Sequence, residues 1–196
     1  MTVRLAGITA GVLVVLALSS CSNDSIAGHP VPSSTASTTG SSPLQPSAKP
    51  ALPPRPKELT IDEINPCALF PNARRAEFGV IRLPVGPYAN GGESRCSFPS
   101  STGSVDIATD PKHGAPYFLG DKPALRGDAV TIGDYPAVSE YTKADKDREC
   151  FVRIDVADGQ NLSIQYNDSS RPGPDVLCPI AQRVALVALD ALKAQK

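Results

Sequence analysis

The sequence predicts an α+β domain: an antiparallel sheet with short amino-terminal helices and a carboxy-terminal helix packed on one face. Two observations predict it. Cys150 to Val156 and Leu162 to Tyr166 alternate apolar and polar residues on either side of Asp158-Gly159, which is the pattern of a hairpin with one buried face. Beyond Asp175 the apolar residues Leu177, Ile180, Ala181, Val184, Val187, Ala188, Ala191 and Leu192 recur at helical spacing, giving a single stripe that needs a surface to cover. The sheet supplies that surface.

The chain of 196 residues divides into three parts by composition. Residues 1–20 read as a signal peptide: Arg4 gives a positive start, and Leu5 to Leu18 is an uncharged apolar run, too short to span a bilayer comfortably. Leu18-Ser19-Ser20-Cys21 resembles the lipobox of bacterial lipoproteins, an aliphatic residue and two small ones before a cysteine. That resemblance implies a diacylglyceryl group on Cys21, which becomes the first residue of the mature chain. The expected location is extracytoplasmic, on the outer face of the cell membrane, with lipid on Cys21 as the anchor.

Residues 21–57 are rich in Ser, Thr, Pro and Ala, with few large apolar side chains. Such a composition cannot offset the entropy of ordering, so a disordered linker is expected. Its reach is roughly 30 to 40 Å as a coil, and about 100 Å if the prolines hold it extended.

Residues 58–196 form the expected domain. Thr60-Ile61-Asp62-Glu63 has the form of a capping box, and Pro66 keeps any helix there short. Pro71 to Phe78 fits a second short helix closed by Gly79, with Leu69, Phe70, Ala73 and Ala76 on its buried side. Val80 to Leu83 is a candidate first strand, and Tyr88 to Gly92 is turn chemistry. Arg95 to Phe98, Val105 to Thr109, Ala129 to Ile132 and Ala137 to Tyr141 are the next strands. The segment from Asp110 to Asp128, broken by Pro and Gly, gives no periodicity, and the charged run Lys143 to Glu149 reads as a solvated loop. Pro179 is tolerated only in a first turn, so the last helix should start close to it.

Of five cysteines, Cys21 is assigned to lipid, which leaves Cys67, Cys96, Cys150 and Cys178. An even number in an exported domain implies disulfides, with three connectivities open. Cys96 and Cys150 sit on inward strand faces, and Cys67 and Cys178 lie beside prolines at the helical edges. This context favours Cys96–Cys150 and Cys67–Cys178. With no CxxC pair and only His29 and His113 as histidines, no metal site or cofactor is expected.

Asn65-Pro66-Cys67-Ala68-Leu69-Phe70, Cys96-Ser97-Phe98, Cys150-Phe151-Val152-Arg153-Ile154 and Leu177-Cys178-Pro179-Ile180-Ala181 resemble the four-cysteine domain of a group of actinomycete lipoproteins, mycobacterial ones included. In that group an acidic residue usually stands where Asn65 is, and a Trp often where Phe98 is. The resemblance runs from about Ile61 to the carboxyl terminus. The function of that domain is unknown, and the resemblance implies no catalytic residues.

A net charge of −1 with scattered basic residues argues against a nucleic-acid partner, which needs a basic footprint. No GxSxG, SxxK or glycine-rich phosphate loop is present. His113 is a candidate general base, although a lone loop histidine is commonly a solvated surface residue. Glu140, Asp155 and Asp158 are candidate carboxylates for glycoside hydrolysis, and the sequence does not set their separation. The expected function is a non-catalytic binding or interaction module of the cell envelope, with Tyr117, Phe118 and Tyr135 as candidate contacts or ordinary core residues. The alternatives are a cell-wall hydrolase and a carrier of an apolar molecule between helix and sheet.

Overall fold

The alternating residues of the central strands build one eight-stranded sheet, seen in a computed structural model that describes residues 51–143 and 148–196. The expected signal peptide, Cys21 and most of the linker lie outside the described residues. The strands are β1 (Val85–Asn90), β2 (Glu93–Pro99), β3 (Gly103–Asp110), β4 (Gly120–Asp121), β5 (Leu125–Ile132), β6 (Tyr135–Thr142), β7 (Glu149–Ala157) and β8 (Gln160–Asp168). Their order is β1-β2-β3-β8-β7-β6-β5-β4, antiparallel throughout. Two meanders thus meet where β3 pairs with β8. Because β3 ends in mid-sheet and β4 lies at an edge, residues 111–119 must cross one face to join them.

That crossing leaves the opposite face for the helices. Cys96, Phe98, Val105, Ile107, Cys150, Val152, Ile154, Leu162 and Ile164 all point there and are fully buried. The second helix, α2 (Pro174–Lys193), lays Leu177, Ala181, Val184, Ala188, Leu189 and Leu192 over them. Its start differs from expectation. Gly173 occupies the cap position, and Pro179 sits inside the helix rather than in its first turn. The missing Pro179 N–H leaves one backbone bond unmade there.

The amino-terminal helices are shorter than their sequence signals. Thr60 to Glu63 forms a turn and no helix, and Glu63 takes φ 63. Asn65 is the real cap: its side chain accepts from the Cys67 N–H at 2.9 Å and opens a 3-10 turn, Pro66–Leu69. Pro71 to Gly79 follows expectation, as α1 (Asn72–Arg75) and a 3-10 turn closed by Gly79 at φ 69. Phe78 is its buried contact, whereas Ala73 and Ala76 are exposed. The expected strand at Val80 to Leu83 is reduced to a single bridge, Val80 to Ser100. Pairing resumes only at Val85, and Tyr88 and Ala89 belong to β1, with the turn at Gly91-Gly92.

The disulfides differ from the favoured pairing. Cys67 joins Cys96 and Cys150 joins Cys178, with α-carbons 5.1 and 5.2 Å apart. Cys96 and Cys150 do share a face, but β3 and β8 lie between their strands. Three strand spacings separate them by at least about 14 Å, beyond any disulfide. Each strand cysteine instead reaches up to the helical layer. Closing loops of 29 and 28 residues, each contributes about 3.5 kcal/mol in the chain-entropy model.

Candidate functional site

The alternation that buries one face of the sheet sends polar residues to the other. Register aligns Arg95, Ala108, Ser163, Arg153 and Val138 in one row across β2, β3, β8, β7 and β6. The adjacent row is Ser97, Asp106, Gln165, Phe151 and Glu140. This face therefore carries charge in the middle of the sheet, where burial of a charge demands partners.

Arg153 is the centre of it, 8% exposed. Its Nη1 donates to Ser163 Oγ at 2.7 Å, and its Nη2 lies 3.5 Å from Glu140 Oε2. Lys122 Nζ reaches the other Glu140 oxygen at 3.3 Å. The guanidinium carbon stands 4.3 Å from the Phe118 ring centroid and 4.7 Å from that of Phe151. Burial lowers the Arg153 pKa from its ordinary value, and the charge of Glu140 opposes the shift. Toward β2, Arg95 donates to Gln165 at 2.9 Å and to Glu93 at 2.8 Å, and Gln165 donates to Glu149 at 2.6 Å.

The crossover supplies the remaining groups. Asp110, buried at the end of β3, accepts from the backbone N–H of Lys112 and His113 and faces His113 Nδ1 at 3.0 Å. Asn161 holds the turn from β8 by donating to the His113 carbonyl at 2.6 Å. A 3-10 turn, Ala115–Phe118, then places Tyr117 and Phe118 edge to face, with His113 against Tyr117 and Lys122 near both rings.

At the sheet end nearest the β7–β8 turn, the last residues of the expected linker contact the domain. Arg55 donates to Asp155 and Glu58, both at 2.8 Å, and to Asp158. Burial works to lower the Arg55 pKa, but the three carboxylates outweigh it and raise it. A cleft of about 520 Å³ lies between Leu52–Glu58 and Pro116.

The structure thus sorts the candidates. Tyr117 and Phe118 come together on the polar face, Tyr117 being 64% exposed. Tyr135 does not join them, because at 2% exposure it belongs to the core. His113 has a carboxylate partner, with no serine, threonine or cysteine bonded to it among the described residues. Asp155 and Asp158 converge on Arg55, whereas Glu140 stands apart. Glu140 pairs with Phe151, four residues from Asp155 along β7, which separates their α-carbons by roughly 14 Å. Cys21 and His29 lie outside the described residues, and among those described no cluster of three His, Cys, Asp or Glu could hold a metal.

Arg55, Arg95 and Asp110 were not singled out by the sequence. For Arg95 and Asp110 the available signal was the polar half of each strand's alternation, which marks groups that need partners once the sheet is buried; Arg55, in a proline-rich segment outside the strands, carried no such signal.

A family model settles what kind of domain this is: residues 16–190 match DUF3558, a protein family of unknown function. The chain belongs to that family. No curated protein matches the chain, and no solved structure does.

Proposed function

We propose that this DUF3558 chain is an extracytoplasmic lipoprotein of the actinomycete type, held on the outer face of the membrane by lipid on Cys21. Its domain acts there as a non-catalytic binding module. The anchor rests on Leu18-Ser19-Ser20-Cys21, a stretch that the family match from residue 16 takes in. No helix among the described residues is long and apolar enough to cross a membrane.

The observation that carries the binding role is the polar sheet face. Arg95, Asp106 and Gln165 continue the rows of Arg153 and Phe151 across the sheet, Phe118 lies over Arg153, and Tyr117 packs edge to face on Phe118. Rings beside a few placed polar groups are the usual lining of a recognition surface. The carrier reading has less support: Leu177, Val184, Leu189 and Leu192 fill the space over Val152, Ile154 and Ile164, all fully buried.

The test is co-sedimentation of the soluble domain with purified cell-wall material. Retention is expected, reduced at least severalfold in Tyr117→Ala and in Arg95→Gln. Release of soluble wall fragments, abolished by Glu140→Gln, would overturn the reading in favour of a hydrolase.

A further inference from the structure

The segment Ala51–Lys57 lies on the domain although its composition gives it no core residue. Among the described residues, every hydrogen bond that ties it down comes from the Arg55 guanidinium. The regular backbone contacts begin later, where Leu59 N–H donates to the Val156 carbonyl at 2.7 Å. Arg55 is flanked by Pro53, Pro54 and Pro56, which fix φ and lower the entropy lost on docking. Its side chain is only 17% exposed, and that of Asp155 only 9%.

The receiving surface has the parts of a peptide site. Asp155 is a carboxylate on the polar face of β7, and Asp158 is an exposed one at the turn. Pro116 and Asp155 line the cleft of about 520 Å³ together with the segment itself. A second cleft, of about 240 Å³, continues past Arg55 to Tyr117 and Gly159. Carboxylates for a planar, forked cation, next to proline and tyrosine, match how extended proline-rich segments are gripped. A binding mode of this kind draws its affinity from low ordering cost and one charged anchor.

We propose that Asp155 and Asp158, with Pro116 and Tyr117, form a binding site for a proline-flanked arginine presented by another polypeptide, and that Arg55 closes this site in cis. The segment is a resident ligand, and release of Arg55 frees the carboxylates and joins the two clefts. The inference stands on the docked segment and is independent of the lipid anchor and of the rest of the polar face.

The test uses a synthetic peptide of the sequence Ala51–Glu58, titrated by NMR into the soluble chain carrying Arg55→Ala. Saturable shifts are expected at the amides of Asp155, Gly159 and Tyr117, with the wild-type chain showing at least tenfold weaker binding because its site is filled. Adding Asp155→Asn to Arg55→Ala should abolish the shifts. Adding the exposed Asp158→Asn should weaken binding severalfold without risk to the fold. A peptide with Lys in place of its arginine should bind less tightly, since a point charge does not fork. No saturable shift with Arg55→Ala, or equal binding to wild-type and all variants, would overturn the proposal.

Discussion

The Arg153 guanidinium on β7 lies against the Phe118 ring of the crossover, its carbon 4.3 Å from the ring centroid. This contact joins the two halves of the polar face. It pins the irregular segment 111–119 onto the sheet and covers a charge that the strand pattern forces inward. Replacing Phe118 by Ala removes the cover from Arg153 and the ring contact with Tyr117. We expect a loss of about 2 kcal/mol in unfolding free energy, with faster hydrogen exchange confined to the backbone from His113 to Lys122.

Gly127 tests the same junction from below. On β5 it pairs with Gly120 of β4, and a Cβ built on it would stand 2.0 Å from the Phe118 carbonyl oxygen. Gly127→Ala should therefore displace the crossover, costing more than about 2 kcal/mol. Gly114→Ala is the control, because its added Cβ meets nothing closer than 3.5 Å. Denaturant midpoints of the two variants should differ clearly.

Removing charge at Arg153 leaves Glu140 buried with Lys122 as its remaining cationic contact among the described residues. Breaking a buried pair from one side is destabilising, so Arg153→Gln should lose about 3 kcal/mol. The double variant Arg153→Met with Glu140→Leu should recover most of that loss, and a double-mutant cycle from urea unfolding measures the coupling.

Disulfide mapping without reduction should yield the linked pairs Cys67 with Cys96 and Cys150 with Cys178. Replacing either pair by Ala should cost about 2 to 4 kcal/mol.

The pH dependence follows from Tyr141 and Asp128, which share a hydrogen bond of 2.8 Å. Burial works to raise the Asp128 pKa, but bonds from Arg126 and Tyr141 outweigh it and lower it. Stability from that carboxylate is present above its unfolded value and fades as pH falls through the folded one. The bond to Asp128 raises Tyr141, and burial raises Tyr135 and Tyr166. Their contribution is full below the ordinary tyrosine pKa and is lost as pH rises through the higher folded values. Three of the five tyrosines should thus titrate late in an ultraviolet absorbance titration, and stability should decline on the alkaline limb. Tyr141→Phe should remove about 1 kcal/mol at neutral pH and flatten that limb.

Much of the fold was legible because its strands obey period two. In β7 and β8 each residue's side of the sheet follows from its neighbours, and α2 announces its buried stripe at helical spacing. The expected strand at Val80 to Leu83 failed for want of a partner: apolar composition there signals neither pairing nor burial, and Ile81 and Leu83 are exposed. The capping box at Thr60 failed because a local signal cannot nucleate a helix that Pro66 soon interrupts. Of the candidate site, Tyr117 and Phe118 were visible as aromatics in a loop. The meeting of Phe118 with Arg153 was not, since it depends on where the crossover lands.

The cysteines mark the boundary between the two kinds of information. The sequence by itself determined that Cys96 and Cys150 point inward, because alternation along a strand assigns each side chain a face. Only the tertiary structure decided their partners, because strand order places two strands between them and sets the helical layer within bonding distance of each. Arg55 divides the same way: its neighbours mark a proline-rich segment poor in core residues, while its contacts with Asp155 and Asp158 exist only once the β7–β8 hairpin has folded beside it. Face is a local property of a periodic backbone. Adjacency is set by topology, which no short stretch of chain contains.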